Sequence, residues 1–198
     1  MAAAGKVCTG FSLPYVAKYA NNNGTITYSS GQQLARGVSV SLAPEVADNN
    51  DFYADNVLAE SVTGTFTGGT VTLTVDGLLP AAESLIYGIS AATTVSTVSV
   101  YAYDDDATPP YVGIGFIARY MADGVTSYKV IVLTKCKFSL PTEEAATQED
   151  QIEWQTQALN ATIMRDDSAK HAWKYVAATE YASEAAALVD LKKLLNIT

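Results

Sequence analysis

His171 is the only histidine in the chain, so a Ser–His–Asp or Cys–His nucleophilic centre would have to run through it. It lies in the charged turn Asp166–Lys174, and no nucleophile-elbow sequence occurs anywhere. That context reads as a solvated surface residue. The two cysteines, Cys8 and Cys136, are far apart in sequence. With one histidine they lack the ligand number and spacing of a structural zinc site. Both read as free thiols of a reducing compartment. Two acidic groups offer oxygen ligands: Asp48, Asn50, Asp51 and Asp55, and the run Asp104-Asp105-Asp106. The first lacks the central glycine and terminal glutamate of a calcium loop, and side chains within the second diverge. Gly113-x-Gly115 sits inside a strand pattern and opens no helix, so it is not a phosphate loop. Its glycines read instead as places where a neighbouring backbone comes close. No pair among the twenty-one acids is singled out for glycoside cleavage. The expectation is therefore a non-enzymatic protein with no catalytic, cofactor-binding or metal-binding residues.

The charge distribution adds to this. The formal net charge is −9, and from Gly37 to Ala118 there is no lysine or arginine. That window holds ten acids: Glu45, Asp48, Asp51, Asp55, Glu60, Asp76, Glu83, Asp104, Asp105 and Asp106. Such a block argues against gripping nucleic acid, which needs cations on phosphates. It is compatible with a wall that repels phosphate. At 198 residues the chain is long enough for one domain with a real core, and residues 1–198 are read as a single domain. No apolar run approaches the length that spans a bilayer. The start of the chain lacks the layout of a signal peptide, so synthesis and solubility in a cytosol are expected.

The elements that would position these residues are mostly strands. Tyr111–Met121 alternates, with Val112, Ile114, Phe116, Ala118 and Tyr120 on one face. Ala122-Asp123-Gly124-Val125 reads as a tight turn. Thr126–Phe138 alternates again, with Tyr128, Val130, Val132, Cys136 and Phe138 on one face and Lys129, Lys135 and Lys137 on the other. Further strands are expected at Val7–Ala20 with an interruption at Pro14, at Thr25–Tyr28, at Leu34–Leu42 up to Pro44, at Val95–Tyr103, at Gln151–Met164 and at Ala172–Ala177. Gly68-Gly69 reads as a hairpin turn between Val62–Phe66 and Thr70–Val75. Glu45–Asn56 reads as a long loop carrying Phe52 and Tyr53, either a subunit contact or a segment folded back on its own core. Ala81–Ser90 has the pattern of a helical turn or two. Pro141–Ala146 carries a helix-start signature, and Thr179–Leu195 is a clear helix with Tyr181, Ala185, Leu188, Leu191 and Leu195 on one face. Without βαβ alternation, the expected fold is mainly β: an antiparallel β-sandwich or partly open barrel with a short internal helix and a C-terminal helix.

Several of these segments, in this order and spacing, resemble a known family. They are Tyr53-Ala54-Asp55-Asn56; Gly113-Ile114-Gly115-Phe116-Ile117 with Arg119-Tyr120-Met121; Asp123-Gly124-Val125; Tyr128-Lys129; Phe138 with Pro141; Glu143-Glu144-Ala145 and Thr147; Ile152 with Trp154-Gln155-Thr156; Ala161-Thr162-Ile163-Met164; Trp173-Lys174; and the terminal Ala/Leu helix. Together they resemble the major tail proteins of long non-contractile-tailed bacteriophages, of the phi13-type group, from about Leu34 onward. Residues 1–33 match least. The resemblance implies a tail-tube subunit of the virion, made in the host bacterial cytoplasm. It implies homo-hexameric rings that stack into a hollow tube, with inner sheets joined into one barrel through which DNA passes without specific binding. It further implies a tape-measure protein and a tail terminator as partners, and no membrane. Some relatives carry an immunoglobulin-like domain after the helix, and this chain is expected to lack one. On that reading the ribbon 111–138 is an inner-wall element. The rival expectations are another ring-forming virion protein (a tail terminator or head–tail connector) or a carbohydrate-binding β-sandwich module, the latter suggested by twelve tyrosines and two tryptophans.

Overall fold

Alternating β-branched and aromatic residues, punctuated by Asn, Asp and Gly, fold here into strands joined by tight turns. The computed structural model describes residues 5–142, 147 and 154–197. In chain order its elements are β1 (Val7–Asn22), β2 (Thr25–Gln33), β3 (Gly37–Val46), β4 (Asn50–Ala54), β5 (Val57–Val62), β6 (Phe66–Val75), α1 (Pro80–Tyr87), β7 (Thr93–Val95) and β8 (Val98–Val100). There follow β9 (Val112–Ala122), β10 (Val125–Phe138), β11 (Gln157–Met164), β12 (Lys174–Val176) and α2 (Glu184–Leu194). The fold is mainly β and antiparallel, without a closed barrel. Its principal sheet runs β2-β1-β9-β10-β11-β6-β3, with β12 pairing on β10, while β4-β5 and β7-β8 form separate two-stranded hairpins.

The sheet rolls round a core. Val71, Leu73 and Val75 of β6, Val112 and Ile114 of β9, Leu133, Cys136 and Phe138 of β10, and Leu159, Ala161 and Ile163 of β11 point inward, with α1 supplying Ala82, Ile86 and Tyr87. Farther along the same interior, Phe116, Ala118 and Ile131 meet Phe11, Val40 and Leu42, which brings β3 over β1 and β9. The outer face of β1, β2, β9 and β10 is not left open. Tyr15, Ala17, Tyr19, Tyr28, Ile117, Val130 and Val132 pack there against Ala187, Leu191 and Leu195, the last two at the end of α2 and just beyond it. Ser183 caps α2, accepting from the Ala186 amide at 3.3 Å, with Glu184 in the first turn and Lys192 and Lys193 in the last. Tyr181, Leu188, Leu191 and Leu195 pack on the sheet as expected, but Ala185 is exposed with Ala187 buried in its stead, and the helix starts at Glu184 rather than Thr179.

Several expectations are corrected by this arrangement. Gly68-Gly69 makes no turn, because β6 runs straight through it. A side chain at Gly69 would meet the Ala43 carbonyl oxygen at 2.7 Å and the Pro44 Cα at 2.9 Å, so glycine there lets β3 approach. Strand β3 passes Pro44 and ends at Val46, which an edge strand tolerates. Strand β1 likewise continues through Pro14, with a shift of register between Ser12 and Tyr15 and Leu13 at φ 51°. Strand β2 runs on to Gln33, past its expected end at Tyr28. The stretch 45–56 is not a long loop but the end of β3, a short link, β4 and the turn into β5. The expected strand at Val95–Tyr103 is the short β7–β8 hairpin, turned at Ser96 and Thr97 with positive φ. Strand β11 starts at Gln157, and Trp154 before it is exposed. The expected Pro141–Ala146 helix lies largely outside the described residues, and Ile152 lies outside them.

Candidate functional site

The residues with possible chemistry are dispersed. His171 is exposed at φ 50°, with Nδ1 3.3 Å from the Asp166 carbonyl oxygen. Cys8 is exposed, Cys136 is buried, and both thiols are free. Burial pushes the Cys136 thiol well above its usual value. Asp51 accepts from the Ser61 hydroxyl at 2.5 Å, and Asp104 accepts the backbone amides of Asp106 and Ala107 at 3.2 and 3.1 Å. Asp51 thus bridges β4 and β5 across the ladder, and Asp104 fastens a turn. Among the described residues no three His, Cys, Asp or Glu side chains converge on one point.

Gly113 and Gly115 do allow close approach, but by side chains rather than backbone. A Cβ at Gly113 would meet the Tyr28 ring at 2.4 Å, and one at Gly115 would meet Leu191 Cδ1 at 2.4 Å. The ribbon 111–138 is accordingly covered twice: Ile114 faces the inner core, and Ile117, Val130 and Val132 face α2. Neither face of its middle reaches solvent. The expectation that this ribbon forms an inner wall is corrected by that burial. Nor do its three lysines share a face. A shift of register between Leu133 and Cys136 moves the later residues to the opposite side, so Lys129 is separated from Lys135 and Lys137.

What the fold leaves open is the outer surface of β3, β6 and β11. In-register rows cross it: Ser39, Thr74 and Ala158; Ser41, Thr72 and Asn160; Ala43, Thr70 and Thr162. Thr72 Oγ1 donates to Asn160 Oδ1 at 2.8 Å. Lys137 of β10 adjoins Thr162 at the border, and no carboxylate stands in these rows. The acidic window therefore does not form this face. Of its ten acids Glu45 of β3, opposite Gly68, continues the face at one end, while Asp48, Asp51, Asp55 and Glu60 lie in or beside the β4–β5 hairpin, Glu83 is on α1, and Asp104 to Asp106 form a turn. Asp76 pairs with Arg36, whose guanidinium hydrogen-bonds its carboxyl and holds it below the usual range. The edge beside the open face is β3, which among the described residues pairs only with β6. From Gly37 to Ala43 it carries no charge to guard that edge.

The second open feature is the β4–β5 hairpin. Asp55 and Asn56 both take positive φ, 51° and 63°, making the tight turn between Ala54 and Val57. Phe52 and Tyr53 are each 62% exposed, with Val57 at 62%, Leu58 at 53% and Val62 at 67%. Neither ring folds back on the core. Two strands alone are marginal in water, so this arm has apolar side chains and no layer to cover them.

A polar clamp fixes the loop before β12. Lys135 Nζ donates to both Asp167 carboxylate oxygens at 3.0 and 2.8 Å and lies 5.2 and 4.7 Å from the ring centroids of Tyr19 and Tyr111. Tyr19 Oη donates to Asp167 Oδ2 at 2.8 Å. Burial pushes the Tyr19 phenol up to about 12, while hydrogen bonds from Lys135 and then Tyr19 hold the Asp167 carboxyl below its usual range. Nearby, Tyr28 Oη donates to the Thr134 carbonyl at 2.8 Å, and burial raises its phenol further. Every polar group here has a structural partner. The clamp ties β1, β10 and the 165–173 loop together.

No protein-family model matches the chain, and no curated protein matches it.

Proposed function

We propose that this chain is a non-enzymatic structural protein of a virion: the tail-tube subunit of a long-tailed phage, assembling into stacked hexameric rings around a DNA passage. The observation that carries the reading is the β4–β5 arm, whose exposed Phe52, Tyr53, Val57, Leu58 and Val62 have no cover among the described residues. An element of this kind is satisfied by another copy. The edge of β3, unpaired among the described residues and uncharged from Gly37 to Ala43, supplies a second route to association, sideways, by strand pairing between subunits. Two different contact surfaces on one subunit are what rings and stacks require, since sideways contacts close and axial ones repeat. The order of motifs shared with phage major tail proteins supports the same reading.

In the tube, the open face of β3, β6 and β11 lines the bore. It offers hydroxyls and amides, with one bordering lysine, and so gives phosphate no array of cations to bind. The wall is close to neutral, with Glu45 of β3 and Lys137 of β10 at its margins. Tape-measure and terminator proteins are the partners this role entails.

Sedimentation over a concentration series tests the proposal. The 21.0 kDa chain should enter very large species as its concentration rises. A chain that stays monomeric throughout refutes it.

A further inference from the structure

The face opposite the open sheet carries a cleft of about 450 Å³ between β2, β12 and the end of α2. Ile26, Tyr28, Tyr175 and Leu194 give it apolar walls, Thr27 lies on its β2 side, and Lys193 stands in its lining. Thr27 is exposed, and Tyr175 is 45% exposed. Among the described residues no carboxylate lines the cleft, and Asn196 completes it. The Lys193 ammonium, held by Asp190 at 2.8 Å, keeps a side chain that is 71% exposed. A concave site of this size, apolar with a few polar groups, suits a docked aromatic and its neighbour.

The arm has the complementary character. Tyr53 and Leu58 sit opposite each other in register, next to the turn at Asp55 and Asn56. They form an apolar pair at the tip, and Asp48, Asp51, Asp55 and Glu60 make residues 46–62 purely acidic. Both tip residues are exposed in their own subunit, so the arm does not occupy its own cleft.

We propose that the arm of one copy docks in this cleft of the next, with Tyr53 and Leu58 against Tyr28, Tyr175 and Leu194, and Asp55 beside Lys193. This rests on the self-assembly proposed above and names the receptor surface for the arm. The contact joins two different patches, so it is head-to-tail and, running along the tube axis, repeats from copy to copy. Tyr53 is the aromatic anchor, and its loss should be felt as that of an interface hot spot.

The test uses the full chain with Cys8→Ser, Asp55→Cys and Lys193→Cys, which keeps the Tyr53 anchor. After oxidation of the assembled protein, a non-reducing gel should show a ladder of dimers, trimers and longer species, because each copy carries both halves of the link. Tyr53→Ala should raise the concentration needed for assembly by about 30-fold. Thr27→Trp should block stacking by filling the cleft, with an unchanged melting temperature, since the site is on the surface. Assembly without a cross-linked ladder, or unimpaired in Thr27→Trp, overturns the cleft and leaves the tail-tube reading standing. A chain that does not associate at all overturns both.

Discussion

Gly113→Ala should destabilise the fold through a single ring. The added methyl would lie 2.4 Å from Tyr28 Cε1 and 3.0 Å from Cδ1 and Cζ. Ordinary contact requires a shift of about 1 Å. The ring has little room to give: Tyr28 is 9% exposed, its centroid is 6.1 Å from that of Tyr19, and its hydroxyl is bound to the Thr134 carbonyl at 2.8 Å. Overpacking of this kind costs about 1–3 kcal/mol. Breaking the Tyr28–Thr134 bond adds about 1 kcal/mol. Against this, replacing glycine stiffens the unfolded chain and returns about 0.4–1 kcal/mol. Gly113 is not at positive φ, so alanine adds no backbone strain. The net expectation is a loss of roughly 1–3.5 kcal/mol. Urea unfolding should show a lower midpoint with an unchanged slope. The penalty should shrink in a Tyr28→Ala background, where the clash is absent. A midpoint equal to the parent's, or a penalty unaffected by Tyr28→Ala, would refute this packing.

Tyr19 should make stability fall at high pH. Its folded value of about 12 lies above the ordinary 10.0, so the folded state holds its proton longer than the unfolded state. The contribution is full below pH 10 and is lost as pH rises towards 12, a swing of roughly 2 kcal/mol. Urea midpoints at about pH 9 and about pH 11 should differ less in Tyr19→Phe than in the parent. Val38→Lys, at a position 55% exposed on the β3 edge, should change monomer stability by no more than about 0.5 kcal/mol while suppressing lateral association. Light scattering of the variant at concentrations where the parent assembles checks this, and normal assembly would remove β3 as a subunit seam.

The β9–β10 hairpin was fully legible because its signals agree. Strand alternation flanks Asp123-Gly124, and both turn residues take positive φ, 48° and 77°. Asp55-Asn56 makes the same kind of turn, and its two residues are the signal that could have revealed β4 and β5. It was missed because the flanking strands face no core and so show no alternation. The inward set Val71, Leu73 and Val75 was readable from period two, whereas Gly68-Gly69 was misread as a turn because contact with β3 leaves no local mark. The lysines of β10 were misplaced for a similar reason: one shift of register swaps faces, and only the pairing partner reveals it. The open hydroxyl face was half visible in the run of threonines at 70, 72 and 74. Its partners Ser39, Ser41, Asn160 and Thr162 come from distant strands, and topology alone unites them.

Electron microscopy of the purified protein, concentrated and negatively stained, bears most directly on self-assembly. Long hollow tubes of uniform diameter, with stain filling the bore, are the predicted result. Solitary rings that never stack would point to a terminator or connector instead, and dispersed monomers would contradict self-assembly altogether.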